Sequence, residues 1–288
     1  MKAAPFAYRA PETLEETLAL LANGDGARVL AGGQSLVPML KARVVKPTLV
    51  VDVNGVPGLD AIETEADGTL RIGALARQQA LLDSDAARTA HPLLQAAGRF
   101  AGYLATRHRG TVGGSLAFAA PWAELTAAVV ALDARVEIRS AGGVRTVAAR
   151  DFFIGPHQTV LEPHELLTSV SVPAAAPRTG AGFHEVSARY RDFARVAAGA
   201  TVTLDEAGRC TAAELVLLRV APTPYRADVS HLVGTSIGES ERATVAESLA
   251  GIEPEDDIEV SGAYRKRVAV TLALRALHDA HEKASATA

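Results

Sequence analysis

Two pairs of adjacent glycines, each followed by a hydroxyl residue, are the part of this sequence best suited to chemistry. They lie in Gly32-Gly33-Gln34-Ser35 and in Thr111-Val112-Gly113-Gly114-Ser115. Glycine allows a positive φ and a close approach to a ligand, and successive backbone N–H groups in such a turn can bind anionic oxygen. Two such turns fit a ligand with two phosphates. Neither matches a Walker A loop or Gly-x-Gly-x-x-Gly, so the spacing indicates a nucleotide diphosphate and no particular cofactor.

The elements predicted around the first pair form a small α/β unit. Residues 28–31 are predicted to be a buried strand, residues 35–44 a helix and residues 49–53 a second buried strand. A helix that starts at Ser35 would add the partial positive charge of its N-terminus to the turn. We therefore expect one α/β unit over about residues 1–55.

The second pair belongs to a second predicted α/β unit, over about residues 56–175. Residues 109–115 are too rich in glycine to predict either regular state. The elements predicted around them are a strand at 70–73, helices at 75–82, from 91 and at 124–132, a hairpin at 136–147 with a glycine turn, and a strand at 166–172.

A third region follows residues 173–180, which contain prolines and a glycine and are predicted to be a linker. Beyond it, strands are predicted at 183–187, 196–204 and 214–220, and helices follow at 239–250 and 263–280. This order predicts an α+β domain with an antiparallel sheet and helices on one face. We therefore expect a mixed α+β chain with a first domain at residues 1–175 and a C-terminal domain at residues 176–288.

Composition and charge exclude several classes of function. Lys and Arg total 29 against 33 Asp and Glu, which gives a formal charge of −4, and aromatic residues make up 5%. A nucleic-acid-binding protein would need a basic face and stacking platforms, so this class is excluded. Cys210 is the single cysteine, which excludes an internal disulfide, an iron–sulfur cluster and a thiolate zinc site in this chain.

The other polar residues predict neither a catalytic group nor a metal site. No pair among the eight histidines has metal-ligand spacing with a carboxylate on a predicted helix face. Ser35 and Ser115 lack the Gly-x-Ser-x-Gly elbow of a hydrolase nucleophile. No apolar run approaches the ~18 residues of a membrane span, and the first residues carry no apolar segment of a secretory signal. We expect a cytoplasmic protein without a membrane span.

Longer motifs around the glycine pairs give a specific resemblance. Residues 31–41 with residues 49–54 resemble the first flavin loop of the FAD-binding medium subunits of molybdenum hydroxylases. Carbon monoxide dehydrogenase medium subunits and the flavin portion of xanthine dehydrogenase belong to this family. Residues 109–117 are similar to its second flavin loop. Further matches, in family order and over nearly the whole chain, lie at 151–153, 161–167, 192–194 and 263–266.

The resemblance implies a flavoprotein of the vanillyl-alcohol-oxidase-like fold. FAD would lie between the first two α/β units, and the C-terminal domain would close over the flavin ring. The implied cofactor-binding residues are Ala31, Gly32, Gly33, Gln34, Ser35 and Leu36 around the pyrophosphate, Thr111, Val112, Gly113, Gly114 and Ser115 opposite them, Glu124 at the adenosine end, Leu167, and Phe193 near the ring.

The resemblance also implies a role in a larger enzyme. Substrate would be oxidised on a molybdopterin-binding large subunit, and electrons would pass through a [2Fe–2S] small subunit to FAD and then to an external acceptor. The expected assembly is a dimer of such three-chain units.

Two alternatives stay open. Ala120, Trp122 and His184 depart from the family pattern, which favours a stand-alone FAD-dependent oxidoreductase that acts on a small molecule. A binding module that has lost its cofactor is the other alternative. The intact glycine pairs argue against it, because a glycine within a regular element costs about 0.5–1 kcal/mol relative to alanine.

Overall fold

The computed structural model describes residues 2–286, and its first sheet contains parallel strands in the order β1-β3-β2. The elements of this unit are β1 (Ala7–Arg9), α1 (Leu14–Asn23), β2 (Ala27–Leu30), α2 (Leu36–Ala42) and β3 (Leu49–Asp52). The predicted strand–helix–strand arrangement over residues 28–53 is confirmed. The sequence does not predict β1, because all its residues are exposed and show no hydrophobic pattern.

The second unit is built on an antiparallel sheet with the strand order β4-β5-β10-β6-β7. Its elements are β4 (Ile62–Thr64), β5 (Leu70–Gly73), α3 (Gln78–Asp83), α4 (Asp85–Ala90), α5 (Pro92–Gly98), α6 (Leu104–Arg109), α7 (Val112–Phe118), α8 (Glu124–Ala131), β6 (Arg135–Ser140), β7 (Gly143–Ala148), α9 (Ala149–Phe152), β8 (Phe153–Gly155), β9 (Gln158–Thr159) and β10 (Leu166–Val172). The predicted hairpin and the predicted strand at 166–172 are confirmed. Helix α8 is buried along its whole length, so it belongs to the core of this unit.

The expectation that residues 109–115 have no regular structure is wrong. Helix α6 ends at Arg109 and helix α7 begins at Val112, so the second glycine pair lies in the first turn of a helix. The Thr111 hydroxyl accepts a hydrogen bond from the Gly114 N–H at 3.0 Å, which caps this helix. A threonine N-cap of this kind offsets the low helix propensity of the two glycines.

The helix predicted at 75–82 begins only at Gln78. The carbonyl groups of Ala74 and Ala76 accept hydrogen bonds from Gly113 and Val112 instead of continuing a helix. Contacts with the second glycine pair therefore set the start of α3. The residues around α3 carry no sequence pattern that predicts these contacts.

The C-terminal region is an antiparallel sheet in the order β11-β12-β13-β14. Its elements are β11 (Thr179–Ser187), β12 (Ala194–Leu204), β13 (Cys210–Leu218), β14 (Tyr225–Ala227), the 3₁₀ turns Ser230–Leu232 and Leu249–Gly251, α10 (Glu239–Ser248) and α11 (Gly262–Ala286). Helix α11 packs closely against β11 and β12. A Cβ on Gly182 would lie 2.2 Å from the carbonyl oxygen of Ala276. The predicted order of strands and then helices is confirmed.

The opposite face of this C-terminal sheet packs on α5 and α8 of the second unit. The Phe100 and Phe183 rings lie 5.5 Å apart at this boundary, and the buried core is continuous across it. This packing brings the loop of residues 188–193 next to the chain that precedes α8. None of the helices that the structure describes is long and apolar enough to cross a membrane.

Candidate functional site

The two glycine turns touch each other. A Cβ on Gly32 would lie 2.2 Å from the carbonyl oxygen of Arg109 and 2.8 Å from the Cα of Gly110. A Cβ on Gly114 would lie 3.7 Å from the Cβ of Ala31. Only a residue without a side chain permits this approach at Gly32. The structure therefore brings residues 31–36 and residues 111–115 to one place.

The first turn has unpaired backbone donors. The backbone N–H groups of residues 32–36 make no hydrogen bond within residues 2–286. Gly33 has φ of +72°, which a glycine adopts readily. Ser35 stands at the N-cap of α2, and its side chain makes no cap hydrogen bond within the described residues. Five adjacent N–H groups and one hydroxyl are thus available to an anionic ligand.

The second turn uses its backbone donors within the fold. The N–H groups of Val112 and Gly113 donate to the carbonyl oxygens of Ala76 and Ala74, each at 2.9 Å. Those of Gly114 and Ser115 both donate to Thr111. The N–H groups of residues 112–115 are therefore occupied. Thr111 is 2% exposed and its hydroxyl caps α7, so this turn can offer a ligand chiefly the Ser115 hydroxyl and its shape.

Leu167 lies close behind the second turn. It is 4% exposed and belongs to β10, and the carbonyl of the next residue, Thr168, accepts a hydrogen bond from Ala74 at 2.9 Å. Because Ala74 also binds Gly113, the structure brings Leu167 near residues 111–115.

Asn54 and Arg77 link the two turns by hydrogen bonds. The Asn54 Nδ2 donates to the carbonyl oxygen of Ala31 at 2.8 Å. Arg77 donates to the Asn54 Oδ1 at 2.8 Å and to the carbonyl oxygen of Arg109 at 2.7 Å. Sequence reasoning misses Arg77, because no motif in the chain marks an arginine that binds a backbone carbonyl 32 residues away.

An aromatic cluster lies at the other end of α7. The ring centroids of Phe118 and His157 are 4.6 Å apart, those of His157 and Trp122 5.4 Å, and those of Trp122 and Phe193 4.8 Å. Phe193 is 65% exposed. Helix α7 has seven residues and is therefore roughly 10 Å long, so it separates this cluster from the glycine turns by that length.

Glu124 begins α8 near this aromatic cluster and is 8% exposed. Its carboxyl faces that of Glu185 on β11, across the boundary with the C-terminal sheet. Burial raises the pKa of Glu124, and burial together with the neighbouring Glu124 charge raises the pKa of Glu185. The role of Glu124 at the adenosine end stays a prediction, and it conflicts with the role of Phe193 near the flavin ring, because both residues lie at this cluster and the two ends of FAD are far apart.

Comparison with known proteins matches the whole chain. Residues 4–175 match the family described as "FAD binding domain in molybdopterin dehydrogenase", and residues 181–280 match "CO dehydrogenase flavoprotein C-terminal domain". The alpha subunit of the 6-hydroxypseudooxynicotine dehydrogenase complex of Paenarthrobacter nicotinovorans is 36% identical over 291 residues, which cover 100% of this chain and 98% of the relative.

Carbon monoxide dehydrogenase gives a similar result in sequence and structure. Its medium chain from Hydrogenophaga pseudoflava is 33% identical over 280 residues, which cover 96% of this chain and 96% of the relative. A solved structure of the Hydrogenophaga pseudoflava enzyme that lacks the Mo-pyranopterin moiety matches with a TM-score of 0.94 at 31% identity, over 98% of this chain and 99% of that chain. The resemblance inferred from the two loops is confirmed, and so is FAD as the cofactor. The chain belongs to the FAD-binding medium subunits of molybdenum hydroxylases and dehydrogenases.

Proposed function

We propose that this chain binds FAD non-covalently and passes electrons through it within a molybdenum-containing dehydrogenase. The observation that carries the proposal is the row of five unpaired N–H groups at residues 32–36, in contact with the second glycine turn. FAD would accept electrons from a [2Fe–2S] subunit, after substrate oxidation on a molybdopterin-binding subunit, and would release them to an external acceptor. We place this assembly, a dimer of three-chain units, in the cytoplasm.

The first turn fits the pyrophosphate of FAD in its donor chemistry. Pyrophosphate oxygens are anionic acceptors, and the turn supplies N–H donors, the Ser35 hydroxyl and no acidic residue in the first turn of α2. The guanidinium of Arg109 lies near the Asp52 carboxylate and makes no hydrogen bond or ion pair within residues 2–286, so its positive charge is available beside the turn. Residues 31–36 would hold the pyrophosphate.

The second turn would contact the same cofactor from the other side. Thr111 and Ser115 carry hydroxyl groups there, and Leu167 is buried close to them. We assign the ring end of FAD to Phe193, because its side chain is exposed and lies beyond the length of α7 from the pyrophosphate end. FAD supplies the redox chemistry, and these residues fix its position.

The first experiment tests the cofactor and the partners together. The full chain is expressed with the chains encoded beside its gene, and the purified material is analysed for FAD after acid precipitation. We expect released FAD and co-purification of a large molybdopterin-binding chain and a small [2Fe–2S] chain. A colourless preparation that FAD does not reconstitute would exclude the proposal.

The same experiment tests the stand-alone alternative, which the departures at Ala120, Trp122 and His184 favour. A yellow monomer or homodimer that turns over a small molecule without molybdenum or iron would replace the electron-transfer role with that function. A chain that is inactive alone and active only with its partner chains would exclude it.

A further inference from the structure

We propose that Asn54 and Arg77 are positioning residues that hold the two glycine turns in the geometry of the pyrophosphate site. The inference rests on the proposed role of residues 32–36 in binding FAD. It concerns two side chains that bind each other and the backbone carbonyls of both turns, and of which Asn54 also binds the Asp52 carboxylate.

The Asn54 side chain has its orientation fixed from several sides. Its Nδ2 donates to the Asp52 Oδ1 at 2.6 Å as well as to the Ala31 carbonyl oxygen at 2.8 Å. The Asp52 carboxylate also accepts a hydrogen bond from the Tyr8 hydroxyl at 2.6 Å. A side chain bound at both ends loses little freedom when a ligand binds in front of it.

Arg77 carries the link to the second turn. It stands at the N-cap of α3, separated from the end of β5 by residues 74–76, and its backbone bridges to Thr111. One guanidinium nitrogen donates to Asn54 and the other to the Arg109 carbonyl oxygen. That oxygen is the atom that would lie 2.2 Å from a Cβ on Gly32, so Arg77 acts where the two turns meet.

The link determines where the free donors point. In a trans peptide, the carbonyl oxygen and the following N–H point in opposite directions. Because Asn54 holds the Ala31 carbonyl oxygen, the Gly32 N–H must point away from Asn54, and this N–H is the first of the unpaired row. Fixing this peptide before the ligand arrives lowers the cost of binding.

Charge supports the same arrangement. Burial raises the pKa of Asp52, but the hydrogen bonds from Tyr8 and Asn54 outweigh it, and the net effect lowers this pKa below its ordinary value. The carboxylate therefore stays ionised at neutral pH and, together with Asp60, provides negative charge near Arg77.

The test compares Arg77→Met with Arg145→Met in the full chain. Arg145 also binds a side chain, that of Glu165, and a carbonyl, that of Val160 at 2.7 Å, but it contacts neither glycine turn. The dissociation constant of FAD is measured on the apoprotein by quenching of flavin fluorescence, together with the melting temperature of the apoprotein. We expect Arg77→Met to weaken FAD binding at least tenfold and Arg145→Met to change it less than twofold, with similar losses in melting temperature.

A double-mutant cycle tests whether the two residues act as one unit. Asn54→Ala should also weaken FAD binding about tenfold, and the double variant should lose little more than either single variant, because one link is broken in each case. The visible circular dichroism of FAD bound at saturation should change in the same variants and not in Arg145→Met.

Two results would overturn the inference. One is Arg77→Met binding FAD as tightly as the unmodified chain, or no more weakly than Arg145→Met. The other is fully additive losses in the double variant with unchanged circular dichroism of the bound flavin. An unmodified chain that binds no FAD would instead overturn the proposed function, and these variants would then have no affinity to compare.

Discussion

The first glycine pair follows a parallel strand and leaves its backbone N–H groups unpaired, whereas the second begins helix α7 and has its N–H groups bonded within the fold. Both pairs look alike in sequence, with two glycines and a nearby serine. The difference arises from what lies next to each pair. Thr111 and the carbonyls of Ala74 and Ala76 accept hydrogen bonds from the N–H groups of residues 112–115, and no group within residues 2–286 accepts one from the N–H groups of residues 32–36.

The glycines are needed for different reasons at the two places. Gly33 has a positive φ, so its role depends on backbone conformation. Gly113 lies where a Cβ would be 2.5 Å from the Cβ of Ala74, so its role depends on space. Substitutions should therefore separate loss of the ligand from loss of stability.

The largest expected effect is on FAD binding, in Gly33→Val. A β-branched residue at this φ is strained, and relief of the strain would rotate the peptides that carry the free N–H groups. Loss of two hydrogen bonds to a charged group would weaken FAD binding at least ~30-fold. The measurement is flavin-fluorescence titration of the apoprotein, with far-UV circular dichroism unchanged.

Gly208→Val is the matched control for this variant. Gly208 also has a positive φ, of +78°, with no atom within 4 Å of its Cβ position, and it lies in the β12–β13 turn. It should lose comparable stability and keep its FAD affinity. Equal FAD affinities in the two variants would contradict the assignment of the first turn.

Gly113→Ala should instead reduce stability. Its methyl group would meet the backbone of Ala74 at 2.7–2.8 Å, and overpacking of this kind costs about 1–3 kcal/mol in the free energy of unfolding. Urea denaturation of the apoprotein measures this loss, and FAD affinity of the folded protein should change less than threefold. Gly142→Ala is the control, because its Cβ would meet only the Ser140 hydroxyl, at 3.5 Å. A Gly113→Ala chain as stable as Gly142→Ala would remove the packing explanation.

The sequence predicts the elements around both turns better than it predicts their hydrogen bonds. Strands β2, β3 and β10 are marked by apolar runs, and the two loops are marked by family motifs. The pairing of the second turn is set by Ala76 and Ala74, which precede their partners Val112 and Gly113 by 36 and 39 residues, and alanine side chains give no pattern that reveals it. The same holds for Arg77, whose partners are backbone carbonyls.

The buried carboxyl pair of Glu124 and Glu185 should make the free energy of unfolding depend on pH. This dependence distinguishes the effect of the pair from the strain or overpacking of a glycine variant. The raised pKa values of Glu124 and Glu185 mean that the folded state binds more protons than the unfolded state at pH values above the ordinary glutamate pKa. The free energy of unfolding should therefore fall as pH rises, by up to about 1.4 kcal/mol per unit for one proton. Between pH 7 and 8.5 the buried His91, whose pKa is lowered to about 4, stays neutral and does not contribute.

Glu185→Gln removes one of the two titrating groups. We expect it to be about 1 kcal/mol more stable than the unmodified chain at pH 8.5, with a shallower dependence on pH in urea denaturation. Gly113→Ala should shift the whole profile without changing its slope. Identical slopes in Glu185→Gln and the unmodified chain would show that the carboxyl pair does not titrate in this range.

The smallest expected effects compare the serines of the two turns. The Ser35 hydroxyl lies beside unpaired N–H groups that would still bind the pyrophosphate in Ser35→Ala, so FAD affinity should fall only about twofold. In the second turn the N–H groups of residues 112–115 are occupied, so Ser115→Ala removes a larger share of what that turn can offer. Its FAD affinity should fall about five- to tenfold, within the range of one net hydrogen bond. The same fluorescence titration ranks the two variants, and a larger loss in Ser35→Ala would mean that the second turn does not contact the cofactor through its hydroxyl groups.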